Sequence, residues 1–524
     1  MRKAEKRPGW QMLLYCLLVA VCFLTICSKS SFLYPLNNGS DTQCFFTVGK
    51  GMMHGMVPYR DLVEQKGPLL YFLYGLAALV SERSFFGVYL LEILSYTAFL
   101  YCSYQIFALF FPSKMAKFYY IAAPLMAMVS FTSPSFFHGG EVEELTLPLM
   151  ALTLYFLLRY CRELYPAAMP LSWLFLAGVC AGCVLWMKFT LLGFWIGFMA
   201  VVFIGLLFSR QPARALGSCL MFLGGMAVTA LPWLAYFGRE GALKDLFHVY
   251  FYNNIFAYAE ELSMGERLTS ILESLARMAY RTPWLFGAAV IAVAGVLILR
   301  RLHQNWLGAV APLVCALGLA AGLYWGGRRY TYYFFIFAGF TVLAAVVITH
   351  LIVAVGSRWF HPRSALPGRR LMALSAVLAV VLSGVSYFFC ENTYLLGTPK
   401  AQCVQYRFAS IINEQENATL LSYNFLDFGF YYAADILPVS RYFCLLNIDD
   451  AKLPEMRAEL NRIVRERGVD FVIVMLSPEQ DAAQLYLPEL TRNYELAAQQ
   501  VETTDNRIQL KFALFRAKDL APAS

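Results

Sequence analysis

The side chains that could carry chemistry lie in four short polar segments of an otherwise apolar sequence. These segments are residues 37–66, 133–148, 183–192 and 324–335. A carboxylate can take a proton from a hydroxyl group, and lysine and arginine bind phosphate. Tyrosine adds hydrogen-bonding groups and is common at the membrane–water interface. The candidates are Asp41, Tyr59, Asp61, Lys66, His138, Glu143, Glu144, Lys188, Arg328, Arg329 and Tyr332.

The composition indicates a polytopic membrane protein. Of 524 residues, 59% are hydrophobic and 15% are charged, whereas soluble domains are about 45–50% apolar and about 25% charged. Apolar runs long enough to cross a bilayer recur along the chain. In such a protein a net charge of +8 does not indicate nucleic-acid binding, because what matters is the side of the membrane on which the bases lie.

The apolar runs predict eleven transmembrane helices. The first run is too long for a signal peptide and lacks a clear cleavage site, so we interpret it as a retained span. The predicted spans cover residues 10–33, 84–111, 115–132, 144–162, 171–187, 189–208, 214–237, 283–300, 305–325, 330–355 and 371–390.

The distribution of charge predicts a cytoplasmic N-terminus. With that orientation the inner segments hold sixteen lysines and arginines but only two acids, Glu5 and Glu163, as the positive-inside rule requires. An odd number of spans then puts the C-terminus outside the cytoplasm. The inner segments are residues 1–9, 112–117, 159–170, 209–214, 300–304 and 356–370.

The first outer loop is predicted to cover residues 34–83. Its apolar stretch, residues 68–81, is about 14 residues long, which is more typical of an interfacial or re-entrant helix than of a span. Counting it as a span would also move the basic segments near residues 114 and 210 to the outer side. The loop therefore presents Asp41 and its polar neighbours at the outer face of the membrane.

The sequence predicts two domains, a helical membrane domain at 1–390 and an extracytoplasmic α/β domain at 391–524. In the second, "TLLSY" (419–423), "DFVIVM" (470–475) and "RIQLKFALFR" (507–516) are typical of strands. "KLPEMRAELNRIVRERG" (452–468) predicts an amphipathic helix that ends at Gly468.

Nine of the thirteen cysteines fall within or at the ends of apolar runs, where a free thiol behaves as a small hydrophobic group. Cys44, Cys390, Cys403 and Cys444 are the candidates for exposure to an oxidising compartment. No pairing between them is predicted.

The order of the motifs resembles that of GT-C fold membrane glycosyltransferases, which include protein O-mannosyltransferases and the lipid A aminoarabinose transferase. An aspartate soon after the first span is followed by "PYRD" and "KGPLLYF", then by "GGEVEE" after the third span and a lysine after the fifth. The resemblance extends over residues 10–210, and the remainder matches in architecture only. Each motif is short, so the resemblance depends on their order.

The resemblance implies transfer of a hexosyl or pentosyl group from a polyprenyl-phosphate donor to an envelope glycan, lipid or protein, with inversion. Asp41 matches the catalytic aspartate, Lys66 the lysine near the donor phosphate, and Glu143 or Glu144 the second acid. Lys188 matches the later lysine. Many relatives carry two adjacent acids where Ser40–Asp41–Thr42 offers one, so a divalent metal is possible but not required.

Chemically, a carboxylate whose pKa is raised by partial burial would serve as the base, and cations would bind the departing phosphate. Arg328, Arg329 and Tyr332 are the further candidates for the donor phosphate, and Tyr59, Asp61 and His138 for orienting the sugar or acceptor. No nucleotide-binding motif is present, in agreement with a lipid-linked donor.

Structural explanations compete with each assignment. Asp41 could cap a helix, the two glutamates could favour a helix N-terminus, and the lysines could extend to the interface. The outer arginines could form ion pairs with an outer loop, and His138 could hydrogen-bond within its own loop. At the level of the whole chain, the alternatives are a transporter or flippase for lipid-linked glycans and a non-catalytic envelope scaffold.

Overall fold

A computed structural model describes residues 9–359, 368–481, 487–503 and 508–518. Helices dominate up to residue 386, and a small region with a mixed sheet follows. The basic inner segment 1–9 and the inner loop 356–370 therefore lie largely outside the described residues. The predicted architecture, a helical membrane part followed by a small C-terminal mixed-sheet region, is confirmed.

The α-helices are α1 (Gly9–Cys27), α2 (Ser40–Met53), α3 (Pro68–Val80), α4 (Phe86–Phe110), α5 (Ser113–Ala116), α6 (Tyr119–Phe131), α7 (Val142–Arg159), α8 (Leu171–Lys188), α9 (Gly193–Phe208), α10 (Pro212–Arg239), α11 (Leu243–Asp245), α12 (Met264–Arg281), α13 (Pro283–Ile298), α14 (Trp306–Tyr324), α15 (Thr341–Trp359), α16 (Gly368–Ser386), α17 (Val404–Ile412), α18 (Phe430–Ala434), α19 (Pro454–Glu466) and α20 (Pro488–Asn493). Wider π-helical turns cover Tyr160–Leu164 and Leu246–Ala257, and tighter 3-10 turns cover Phe189–Leu192, Thr331–Phe340, Glu391–Leu395 and Lys400–Gln402.

By length and composition, eight helical segments of the described chain could cross a membrane, or nine if the bent pair α12–α13 counts as one span. The sequence predicts eleven. The difference has three sources. The run at 115–132 contains a helix of only 13 residues. The runs at 171–187 and 189–208 join into one apolar segment. The run at 283–300 contains α13, which counts as a span only together with α12, and the two helices are bent by 117° against each other.

Small residues let the helices of the membrane part approach closely. A Cβ on Gly178 of α8 would lie 2.0 Å from the carbonyl oxygen of Phe222 in α10, and one on Gly193 of α9 equally close to that of Gly318 in α14. No hydrophobic driving force acts between helices in lipid, so packing of this kind supplies much of the attraction.

Two short helices, α2 and α3, occupy the predicted first outer loop. They pack through Gly49 and Gly75, since a Cβ on Gly49 would lie 2.7 Å from the backbone nitrogen of Gly75. At 13 residues, α3 is about 20 Å long and too short to span a bilayer. Residues 34–83, the predicted first outer loop, thus contain two helices of 14 and 13 residues.

The C-terminal region contains a four-stranded sheet in the order β1–β2–β4–β3. Strand β1 (Leu420–Ser422) pairs parallel with β2 (Phe471–Leu476), and β4 (Gln509–Ala517) pairs antiparallel with β2 and with β3 (Tyr494–Thr503). The side chains of β2 are almost all buried, which explains why its sequence is uninterruptedly apolar.

Two details of this region differ from the sequence-based expectation. Strand β3 is missing from the prediction because its Glu and Ala residues have low strand propensity and its side chains are mostly exposed or half-buried at the sheet edge. Helix α19 ends at Glu466. Its C-cap residue is Arg467, in the left-handed conformation (φ 55°), whereas the sequence predicts an end at Gly468. The Gly468 backbone nitrogen then donates to the Ile463 carbonyl.

The C-terminal region packs against the first outer loop. The Val63 backbone nitrogen donates to the Arg441 carbonyl (2.9 Å), and the Arg441 guanidinium donates to the Tyr59 carbonyl (3.2 Å). Lys50, near the end of α2, forms an ion pair with Asp435. These contacts hold α2 between the membrane helices and the C-terminal region.

Buried Asp427 makes the stability of this region depend on pH. It accepts hydrogen bonds from the Ser422 hydroxyl (2.8 Å) and the Gly429 backbone nitrogen (2.8 Å), but burial outweighs them and raises the pKa of its carboxyl to about 6. A raised carboxyl pKa means that the folded state holds the proton longer than the unfolded state does.

We therefore expect the C-terminal region to lose about 3 kcal/mol of stability as the pH rises from about 4 to about 6. Hydrogen–deuterium exchange of peptides covering residues 420–432, corrected for intrinsic rates, measures this loss. Asp427→Asn should flatten the dependence, because the amide does not titrate. The assignment is wrong if the wild-type region is equally protected across this range.

Candidate functional site

Asp41 lies in the first turn of α2. The Asn37 side-chain oxygen accepts from the Gly39 backbone nitrogen (3.0 Å) and the Thr42 hydroxyl (3.2 Å), which sets the start of the helix. Gly39, not Asp41, is the N-cap residue, and no side chain caps this end of the helix. The capping explanation for Asp41 is therefore wrong, and its carboxylate is available for other contacts.

Two side chains from other segments hold the Asp41 carboxylate. The Tyr332 hydroxyl donates to Asp41 Oδ2 at 3.0 Å, and Lys66 Nζ lies 3.6 Å from the same oxygen. Lys66 also lies 3.7 Å from Glu64 Oε1. Both Asp41 and Lys66 are mostly buried, with side chains 18% and 15% exposed, so Lys66 is not a residue that merely extends to the interface.

The pKa of Asp41 is lowered, and the expectation of a raised pKa for the base is wrong. Burial alone would raise it, but the Lys66 ammonium and the Tyr332 hydroxyl favour the charged form more strongly. In turn, Asp41 and Glu64 raise the pKa of Lys66 well above its usual value against the opposing effect of burial. Asp41 is therefore ionised and Lys66 protonated at neutral pH.

Lys188 forms a second, more deeply buried ion pair. Its Nζ lies 2.5 Å from Glu143 Oε1, and the two side chains are 7% and 0% exposed. The ammonium also lies 3.7 Å from the centre of the Tyr333 ring. Opposite charges within bonding distance offset much of the cost of removing each from water.

A break in the helix puts Lys188 at this position. Its backbone is extended (φ −158°, ψ 96°) between α8 and the 3-10 turn Phe189–Leu192. Gly67 fits against the same break, because its backbone nitrogen donates to the Met187 carbonyl (2.9 Å) and a Cβ on it would lie 2.1 Å from the Trp186 carbonyl oxygen. The residue before Gly67 is Lys66, so this contact brings the two lysines to one place.

Lys66 and Lys188 line the same cavity, together with Arg328. The cavity has a volume of about 80 Å³. Its wall includes the π-helical turn Leu246–Ala257, which is fixed by a hydrogen bond from the Asn254 amide to the Gln65 carbonyl (2.7 Å). The remaining lining residues are Gln65, Phe189, Thr190, Tyr250, Asn254, Tyr258, Ala259, Leu323, Gly326 and Tyr333.

The two neighbouring arginines have different surroundings. Arg328 faces the cavity, where its guanidinium donates to the Tyr258 carbonyl (2.9 and 3.1 Å) and no ion pair joins it to a carboxylate of the described chain. Arg329 points elsewhere and pairs with Glu273 of α12 at 2.5 Å. An ion pair with an outer loop, the structural explanation for these arginines, thus holds for Arg329.

Three other predicted site residues, Tyr59, Asp61 and His138, make contacts within or between the segments around the site. Tyr59 is fully buried and its hydroxyl donates to the Lys66 carbonyl (2.6 Å). Asp61 binds its neighbour Arg60 (2.8 Å) and the Val57 backbone nitrogen (2.7 Å). The His138 ring packs beside Gly39, since a Cβ there would lie 2.9 Å from the imidazole.

Glu141 is the acid that the sequence analysis omitted from its candidates. It is buried, and its Oε2 has no hydrogen-bond partner within the described part of the chain. Burial, then the charges of Asp41 and Glu143, raise the pKa of Glu141 well above its usual range. By contrast, Glu144 Oε2 accepts from the Gly140 backbone nitrogen (3.0 Å). Its position directly after Gly139–Gly140 is the feature of the sequence that could have identified Glu141 as a site residue.

No group of three or more His, Cys, Asp or Glu residues that could hold a metal ion occurs in the described ranges. Asp41 is the one acid of its motif, as the sequence indicates, and its partners are a lysine and a tyrosine. This donor set does not fit a divalent cation, and the steps proposed below use the chain's own groups.

Comparison with solved structures gives matches along most of the chain. Two structures of ArnT from Cupriavidus metallidurans, one bound to undecaprenyl phosphate and one in the apo state, match with TM-scores of 0.49 and 0.48. Each is 14% identical and covers 97% of this chain and 98% of the other. An oligosaccharyltransferase from Archaeoglobus fulgidus in the apo form matches with a TM-score of 0.45 at 14% identity, covering 90% and 70% of the two chains.

No protein-family model and no curated protein matches the chain. A likeness in fold does not by itself give an activity, so the function is argued from the residues of the site.

Removing the Lys188 side chain should leave the buried charge of Glu143 without its ion-pair partner. We expect Lys188→Met to lower the free energy of unfolding by about 3–5 kcal/mol, because breaking a buried pair leaves an uncompensated charge. Adding Glu143→Gln should recover a large part of that loss. Both are measured by unfolding the detergent-solubilised protein with increasing SDS.

The matched control is the exposed pair of Arg159 and Glu163, which are 38% and 48% exposed. Arg159→Met should cost at most about 1 kcal/mol. An equal loss of unfolding free energy in Lys188→Met and Arg159→Met would contradict a buried ion pair at Lys188. So would a double variant, Lys188→Met with Glu143→Gln, that recovers none of the loss.

Proposed function

We propose that the chain is an integral-membrane glycosyltransferase that takes its sugar from a polyprenyl-phosphate donor. The observation that carries the proposal is the ionised Asp41 carboxylate 3.6 Å from Lys66, a residue that lines a cavity together with Lys188 and Arg328. A base beside a group of cations suits a reaction in which a hydroxyl displaces a phosphate. The order of motifs along the sequence supports the same reaction class.

In the proposed step, the acceptor hydroxyl attacks the anomeric carbon of the donor. Asp41 takes the hydroxyl proton as the new glycosidic bond forms, and the bond from the anomeric carbon to the phosphate oxygen breaks. The lipid phosphate leaves with its electron pair. Attack from the side opposite the leaving group inverts the anomeric configuration.

The lowered pKa of Asp41 fits this role in one respect and limits it in another. It keeps the carboxylate ionised and ready to accept a proton at neutral pH, but it makes the carboxylate a weak base. The donor phosphate would change this balance. Its negative charge would draw Lys66 away from Asp41 and so strengthen the carboxylate as a base when the donor is bound.

Arg328 is the cation with the fewest competing partners. Lys66 and Lys188 each face a carboxylate, whereas Arg328 donates only to a backbone carbonyl and retains donors for phosphate oxygens. An arginine can bind phosphate with two parallel hydrogen bonds. We therefore assign the donor phosphate to Arg328 first, with the two lysines stabilising the charge that develops on it.

On the acceptor side, we assign the orienting role to Glu141. Its raised pKa keeps the carboxyl protonated, so it can donate a hydrogen bond to a sugar or acceptor hydroxyl. Glu143 instead neutralises Lys188 and fixes its position. The acceptor would be an envelope glycan, lipid or protein, and the positive-inside distribution of charge supports an outer, non-cytoplasmic location for the reaction.

Asp41→Asn should slow turnover strongly without unfolding the protein. We expect loss of a general base to slow transfer by roughly 10²–10⁴-fold. The assay uses protein in lipid nanodiscs, a panel of radiolabelled polyprenyl-phosphate sugars and an envelope extract as acceptor, and it follows release of the lipid phosphate. Asp450→Asn, at an exposed ion pair with Arg457 in the C-terminal region, is the matched control.

Donor consumption by wild type and Asp450→Asn, but not by Asp41→Asn, would identify the donor and support the assignment together. Equal consumption by a folded Asp41→Asn variant would remove Asp41 from the mechanism. If no donor in the panel is consumed by folded protein, the proposed reaction itself is wrong for this donor class.

The two arginines offer an internal comparison of adjacent residues. Arg328→Gln should raise KM for the donor by at least about tenfold, because a hydrogen bond to a charged group is worth about 1.5–3 kcal/mol. Arg329→Gln should have a much smaller effect on KM, since it loses an exposed ion pair with Glu273 and a hydrogen bond to the Ser270 hydroxyl, both away from the cavity lining. Steady-state kinetics with varied donor measure both, and equal effects would contradict a phosphate site at Arg328.

A further inference from the structure

Two cysteines that are 400 residues apart in the sequence meet at the interface between α2 and the C-terminal region. The Sγ atoms of Cys44 and Cys444 are 3.9 Å apart, and both residues are buried, with 0% and 1% of their surface exposed. A disulfide bond has a sulfur–sulfur length of about 2.05 Å, so a movement of about 2 Å by either thiol would join them.

Both cysteines have fixed surroundings. Cys44 lies one helical turn after Asp41 in α2, whose next turn contacts the C-terminal region where the Phe46 and Tyr432 rings meet with 5.6 Å between their centres. On either side of Cys444, the Phe443 carbonyl accepts from the Tyr431 hydroxyl (2.9 Å) and the Leu445 backbone nitrogen donates to the Phe425 carbonyl (3.1 Å). The folded structure therefore holds the two thiols close enough to accommodate a bond between them.

We propose that Cys44 and Cys444 form a disulfide that fastens the C-terminal region to the helix that carries Asp41. The inference rests on the orientation given under the proposed function, because that orientation puts both cysteines in an oxidising compartment. It does not depend on the reaction that the site catalyses.

The step is a thiol–disulfide exchange with a disulfide-bonded oxidoreductase of that compartment. One sulfur–sulfur bond forms between Cys44 and Cys444, two S–H bonds break, and the two protons pass to the two sulfurs of the oxidoreductase. The two electrons reduce the disulfide of the oxidoreductase to a dithiol. No further reagent is required.

The exchange belongs to folding, before the interface closes. The contact with Cys444, together with burial, raises the pKa of Cys44 well above its usual value in the folded protein. The thiolate that such an exchange requires is then rare, and no oxidoreductase can reach the buried pair. For the same reasons, the finished bond resists reduction until the C-terminal region separates from α2.

The bond would matter for the site because of the position of Cys44. Residues three apart on a helix are neighbours on its surface, so fixing Cys44 also fixes the first turn of α2, where Asp41 meets Lys66 and Tyr332. The cross-link would keep this turn in place as donor and acceptor bind and leave.

The test places a specific protease site in the exposed stretch at residues 397–400, between the membrane part and the C-terminal region. Protein is extracted from membranes in the presence of a thiol-alkylating reagent and then cleaved. We expect the two fragments to stay together on a denaturing gel without reductant and to separate with it. Mass spectrometry of the uncut wild type should find the Cys44 and Cys444 peptides linked.

Cys444→Ser should lose the link between fragments, whereas the control Cys403→Ser should keep it. Cys403 lies in the same fragment, and its thiol donates to the Pro399 carbonyl (3.9 Å). Separation of the wild-type fragments without reductant, or alkylation of both Cys44 and Cys444 in the folded protein, would overturn the proposal. If the Cys444→Ser variant fails to fold, the linked peptides of the wild-type protein still decide the question.

Discussion

The site depends on keeping a carboxylate charged in a place that is mostly closed to water. Burial favours the neutral form of Asp41, and the Lys66 ammonium, the Tyr332 hydroxyl and the charge of Lys188 together reverse that preference and lower its pKa. These partners come from segments far apart in the sequence, so the charge exists only when the first outer loop and the turn before α15 are both in place. Glu143 and Lys188 stabilise each other's charges in the same way at a more deeply buried position, where neither charge would be stable alone.

Helix α2, which carries Asp41, contacts both α3 and the C-terminal region. On one side it packs on α3 through Gly49 and Gly75, and on the other it meets the C-terminal region through the Lys50–Asp435 ion pair and the Phe46–Tyr432 contact. A helix of 14 residues is marginal in isolation, so tertiary contacts on both sides must fix the position of its first turn. The C-terminal region therefore contributes to the site without lining the cavity.

The sequence alone predicted what depends on composition and order. Apolar runs gave the membrane part, short helices and three of four strands followed from local pattern, and the polar segments identified Asp41, Lys66, Lys188 and Arg328 as a group. It missed what depends on three-dimensional surroundings. The shift in the pKa of Asp41 has the opposite direction because its partners are distant in sequence. Glu141 was not among the predicted residues because only the fold shows that Glu143 pairs with Lys188 and Glu144 accepts from Gly140, while Glu141 keeps a buried oxygen without a partner in the described chain. Strand β3 forms despite a weak local preference because β4 offers it a paired edge.

The irregular parts of the membrane helices also explain how two lysines come to share a cavity. A regular helix through residue 188 would bury its backbone and direct Lys188 into a neighbouring helix or the lipid. The extended backbone at Lys188 instead leaves the Met187 carbonyl free to accept from Gly67, and only a glycine can approach the Trp186 carbonyl so closely. Two ammonium groups held side by side repel each other, and Asp41 and Glu143 compensate for that repulsion. A bound phosphate would supply further compensation, which is the physical reason to expect this cavity to select a phosphorylated ligand.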